Sequence, residues 1–166
     1  MPKIPHVRRG FTLIELTVGI GLIMMMTGGI VVNYNRYNDR QKVKQAALTL
    51  KNNLRLAQTK ASAAEWPLSC VSPGCTCSQL SGYNVSFTGT AYEIRALCSE
   101  GLVGTVQSVT LPASVSFASV PPSLTFQVLS RGVAIPSPTV ISLTGSAVTY
   151  DIQLNPSGDV NDLGFQ

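Results

Sequence analysis

Polarity along this chain changes its period twice. From Phe11 to Val32 it is almost unbroken hydrocarbon, FTLIELTVGIGLIMMMTGGIVV, with Glu15 as the single charge. Val43, Ala46, Ala47, Leu50, Leu54, Ala57 and Ala61 then recur at spacings of three and four, which marks one apolar stripe on a helix. The spacing predicts a helix that runs to about Ala64 and is ended by Trp66 and Pro67. Beyond Pro67 the period drops to two. Alternating runs predict strands at Tyr83–Thr88, Tyr92–Leu97, Gly104–Leu111, Ser114–Ala118, Leu124–Leu129, Val140–Leu143 and Val148–Leu154. Pro112, Pro121, Pro122, Gly132, Pro136, Pro138, Gly145 and Pro156 punctuate them. The expected fold class is α+β, a long N-terminal helix packed on a small β-rich globular head. Residues 1–10 form a leader, 11–64 the helix and 65–166 the head.

The apolar run changes this picture by adding a membrane. Its 22 residues, wound as a helix at ~1.5 Å per residue, reach roughly 33 Å and predict a transmembrane first half over 11–32, followed by an amphipathic stalk over 33–64. Lys3, Arg8 and Arg9 precede it without an opposing acid, which holds the leader in the cytoplasm and sends the head outside. A secretory signal would carry a shorter apolar region and a small-x-small cleavage site, whereas Asn33, Tyr34, Asn35 and Arg36 follow here. The expected location is the inner membrane, crossed once.

Glu15 is the anomaly in that run. A carboxylate in hydrocarbon costs roughly 2.5 kcal/mol or more unless it is partnered or lies at headgroup level. A cut between Gly10 and Phe11 would create an α-amino group on Phe11, about one helical turn from Glu15. One acid and one amine per copy allow an ion pair between neighbours in a dry bundle.

Gly10, Phe11, Thr12, Leu13, Ile14, Glu15 and the apolar helix after them resemble the N-terminal signature of type IV pilins and type II secretion pseudopilins. The resemblance implies a type IV pilin-like fold. It implies that a prepilin peptidase cuts after Gly10 and methylates Phe11, and that Glu15 guides docking onto other pilins or pseudopilins. Many major pilins bend this helix at a proline; here Gly28 and Gly29 are the soft points, each costing ~1 kcal/mol of helix stability. The segments Leu124–Gly132, Thr139–Thr144 and Tyr150–Val160 resemble the C-terminal sheet of H-type pseudopilins and FimT-like minor pilins. DNA-binding members of that group place basic residues toward this end, where the present chain has Asp159 and Asp162.

Charge is uneven along the chain. Arg36, Arg40, Lys42, Lys44, Lys51, Arg55 and Lys60 crowd the second half of the helix against Asp39 alone, while Glu65, Glu93, Glu100, Asp151, Asp159 and Asp162 outweigh Arg95 and Arg131 in the head. A basic neck suits nucleic acid or anionic lipid. It equally suits a solvated helix face that meets the acidic heads of neighbouring subunits.

Cys70, Cys75, Cys77 and Cys98 all fall in the part expected outside the cytoplasm, where two disulfides are the default. A Cys75–Cys77 bridge is geometrically poor. This leaves Cys70–Cys75 with Cys77–Cys98, or Cys70–Cys77 with Cys75–Cys98. A four-cysteine zinc site is the rival, but the single residue between Cys75 and Cys77 departs from zinc-ligand spacing. No metal or other cofactor is expected. The only histidine, His6, lies in the leader, so the mature chain has no Ser-His or Cys-His pair, and no phosphate loop is present. The expected protein is not an enzyme. It is a minor pilin or pseudopilin, with a DNA-binding minor pilin or a non-assembling signal-anchored protein as alternatives.

Overall fold

The computed structural model describes residues 10–67, 77–130 and 132–166, and of 27–33 the helical backbone alone. The chain divides into two compact units, Met1–Tyr37 and Asn38–Gln166. Helix α1, Leu13–Ser62, contributes its residues to both.

The helix begins where Thr12 caps it. Glu15 donates its backbone N–H to Thr12 Oγ1 at 3.3 Å, and Leu16 N–H reaches the Thr12 carbonyl at 3.2 Å. Thr12 and Glu15 stand at the two positions of a capping box, which satisfies donors that a helix start otherwise leaves bare. The far end closes by backbone geometry rather than by Trp66 and Pro67. Glu65 N–H returns to the Lys60 carbonyl and Ala64 N–H to the Ala61 carbonyl, both at 3.0 Å, with Ala64 left-handed at φ 48°. These two bonds form a Schellman motif with alanine in the place glycine prefers.

In the second unit the predicted stripe is the helical side of the core: Val43, Ala46, Ala47, Leu50, Leu54, Ala57 and Ala61 are all buried. Two antiparallel sheets supply the rest. The strands are β1 Leu80–Phe87, β2 Ala91–Cys98, β3 Gly101–Thr110, β4 Ser116–Phe117, β5 Leu124–Gln127, β6 Thr139–Thr144, β7 Thr149–Leu154 and β8 Val160–Phe165. One sheet runs β3-β2-β1-β5 and the other β4-β6-β7-β8. Alternation puts Tyr83, Val85, Phe87, Tyr92, Ile94 and Ala96 into the core from the first sheet, and Ile141, Leu143, Tyr150, Ile152 and Leu154 from the second. Phe87 meets Phe117 edge-on at 5.4 Å, and Tyr92 lies within 6.5 Å of both rings, a cluster that ties β4 to the first hairpin. Buried Tyr92 accepts a hydrogen bond from Asn53 Nδ2 at 2.7 Å, and Tyr83 donates its hydroxyl to the Glu65 carbonyl at 2.6 Å.

Two expectations need correction. A membrane-spanning first half of the helix is overturned: among the described residues no helix is long and apolar enough to cross a membrane. Taken over the described side chains alone, the stretch is short of a span. The apolar side chains described run from Leu13 to Met26, which is ~21 Å of helix against a hydrocarbon core of about 30 Å, and Glu15 falls within them. The architecture is therefore α+β, a helix with two antiparallel sheets, with no spanning element among the described residues. The second correction is β8. The chain was expected to finish its sheet at the turn after Leu154, yet a further strand follows that turn, with Asn155 and Asp159 closing it by a 3.0 Å backbone bond.

Candidate functional site

The residues expected to carry processing lie together at the start of α1. Gly10 is exposed and has open space around the position a Cβ would take, and Phe11 is 84 % exposed. Glu15 is exposed in the first turn. Lys3, Arg8, Arg9 and His6 lie outside the described residues. Around this junction Phe11, Leu13, Ile14, Leu16, Val18 and Met25 all stand more than half exposed. Large apolar side chains this exposed cost about 25 cal/mol for every Å² left in water, so a contiguous run of them marks a surface made to be covered. The backbone passes through Gly28 and Gly29 as continuous helix, with no break at the expected soft points.

The basic neck is not one patch. Lys51 forms an ion pair with Asp162 of β8, and Lys60 pairs with Glu65 just beyond the helix end. Arg40 stacks over the Phe165 ring at 5.2 Å, and Phe165 meets Tyr150 edge-on at 5.0 Å. Lys51 and Arg40 thus pin the last strand of the head to its own helix, while Lys60 is spent at the helix end. Of the rest in this unit, Lys44 and Arg55 share one exposed face, eleven residues and about three turns apart. Lys42 points ~160° away from Lys44 around the axis at about 100° per residue. That scatter does not form a track for a phosphate backbone, which needs cations aligned along one line.

Asp39, the single acid among those cations, is buried rather than solvated. Its carboxylate accepts the backbone N–H of Ser146 at 3.3 Å and of Ala147 at 3.0 Å, in the turn between β6 and β7. Gly145 is part of the same joint. A Cβ there would stand 2.6 Å from Val43 Cγ2 and 2.8 Å from both Asp39 oxygens. The sequence contained the pieces of this latch, an acid on a basic helix and a glycine between strands, but nothing that set them side by side.

Of the four cysteines, Cys77 and Cys98 form a disulfide with a Cα–Cα distance of 5.4 Å. This excludes the Cys70–Cys77 with Cys75–Cys98 alternative and takes two sulfurs from any four-cysteine zinc site. Cys70 and Cys75 lie outside the described residues. Beside the bond, the Glu100 carboxylate accepts the Ser78 N–H at 3.1 Å and the Ser99 hydroxyl at 2.9 Å. These bonds, Ser78 first and Ser99 next, hold its pKa down at about 2. No local pattern marked this second clasp, because it depends on which residues flank the bridge in space.

The head's remaining ionisable groups do not converge. Asp159 holds the Ser157 hydroxyl at 2.8 Å, and Asp151 and Glu93 lie on the outer faces of different sheets. Burial pushes the hydroxyls of Tyr83, Tyr92 and Tyr150 above their ordinary pKa, with Glu65 adding to the first and Asp162 to the third, while Asn53 works against the rise at Tyr92. All three are core residues that close the helix against the sheets. No protein-family model matches the chain, and no curated protein or solved structure matches it either.

Proposed function

We propose that this chain is a minor pilin or pseudopilin, a non-enzymatic subunit of a type IV pilus or type II secretion pseudopilus. In this reading it is held at the inner membrane with its head outside the cytoplasm, cut after Gly10 by prepilin peptidase, methylated on Phe11 and added to a filament. The observation that carries the reading is the exposed apolar stretch from Phe11 to Met26 immediately after an open glycine. Such a surface is best covered by equivalent helices of other subunits, and Glu15 sets their register by answering the new α-amino group of a neighbour.

The test is a pair of variants of the full-length chain in cells. Gly10→Val is expected to remain at precursor mass and stay out of filaments. Glu15→Ala is expected to be cut but to enter filaments at least tenfold less often. A Gly10→Val chain that is trimmed normally, or assembles as precursor, overturns the reading. Unchanged complexes in Glu15→Ala would instead favour a signal-anchored protein that never assembles. Nucleic-acid binding, suggested by the neck charges, is the weaker alternative given how those cations are spent and scattered. Salt-sensitive retardation of DNA by the purified chain would revive it.

A further inference from the structure

Across the middle of the first sheet, Glu93 on β2 pairs with Ser86 on β1 and with Ser108 on β3, so one carboxylate is flanked on the adjoining strands by two hydroxyls. The three line a shallow recess of about 200 Å³ on the face turned away from the core, with Thr88 and Ala91 at its rim. Glu93 is half-buried and has no hydrogen-bond or ion-pair partner among the described residues. Arg95, two residues on, shares the face but forms no ion pair with it. Both Glu93 carboxylate oxygens are thus open to an incoming donor.

We infer that this recess takes the Lys44 ammonium of a second copy of the chain. The chemistry favours a primary ammonium, which carries three donors on one nitrogen and matches one carboxylate and two hydroxyl oxygens; a planar guanidinium fork matches a flat carboxylate instead. Charge complementarity names the source. Lys44 is exposed, has no partner among the described residues, and shares its helix face with Arg55, so this side of α1 presents two free cations to an acidic head. Lys51 and Lys60 are already committed within the chain, and Lys42, exposed like Lys44, lies ~160° around the helix from it and away from Arg55. The contact rests on the assembly reading above and adds a side-by-side bond between head and helix of neighbouring copies. It is separate from the apolar stretch at residues 11–26.

Zero-length carbodiimide coupling of the full-length chain, mixed from light and 15N-labelled copies, tests it directly. An isopeptide joining Glu93 to Lys44 in mixed-isotope form is expected. Glu93→Gln should abolish that peptide, Glu93→Lys should lower association between copies at least fivefold, and adding Lys44→Glu to Glu93→Lys should restore it. Same-isotope peptides only, coupling of Glu93 to another lysine, or undiminished association of Glu93→Lys overturns the inference. The mass of the N-terminal peptide is read from the same material when it is isolated from cells. A chain left uncut marks failure of the pilin reading, whereas a cut and assembled chain without the Glu93–Lys44 peptide marks failure of this contact alone.

Discussion

At the scale of single residues, the helix-to-sheet joint and the helix end make opposite demands on small side chains. Gly145 is required where it stands, because a methyl group would enter the Asp39 carboxylate and Val43. Gly145→Ala is expected to cost about 1–3 kcal/mol as overpacking, measured by denaturant unfolding. Asp39→Ala should cost a similar ~1–3 kcal/mol, because it removes the buried carboxylate that accepts two turn N–H groups. Ala64 is the reverse case. A left-handed alanine is strained where glycine is not, so Ala64→Gly should raise stability by about 0.5–1 kcal/mol in the same measurement. Glu100 gives a pH signature. Its folded pKa is depressed to about 2 from the ordinary 4.5, so its contribution is fully present above the ordinary value and is lost as pH falls through about 2. The Ser78 amide resonance should titrate with a midpoint near the lower value, and a midpoint at the ordinary one would remove the clasp. None of these four positions could be singled out from the sequence, since each owes its role to a residue distant along the chain or to a backbone angle.

At the scale of elements, periodicity carried most of the reading. The helix stripe and the strands from β1 to β7 were visible because burial on one face leaves a spacing of three and four, or of two, in any chain that folds this way. The exception is β8, VNDLGF. It buries Val160 alone, contains an acid and two residues with poor strand propensity, and carries a bulge opposite Asp151 and Ile152. Its place depends on the ladder with β7 and on contacts made across the molecule, Lys51 with Asp162 and Arg40 over Phe165. Lys51→Ala should therefore loosen β8 selectively. Amide exchange of residues 160–165 is expected to speed up several-fold while β1 and β2 keep their protection, and uniform acceleration of all strands would show that the pair supports the whole head instead.

At the scale of the whole molecule, stability outside the hydrophobic core rests on the bridge between Cys77 and Cys98, 21 residues apart. Removing it with the pair Cys77→Ser and Cys98→Ser is expected to lower unfolding free energy by roughly 3 kcal/mol, seen as a lower denaturant midpoint. The sequence by itself determined the α+β class and the stripe that faces the core, because period and composition are properties of neighbouring residues. It could not choose the cysteine pairing or tell which neck cations were spent within the chain. Those answers came from tertiary structure, since ion pairs, latches and free recesses such as that of Glu93 exist only once residues far apart in the chain are brought within a few ångströms of each other.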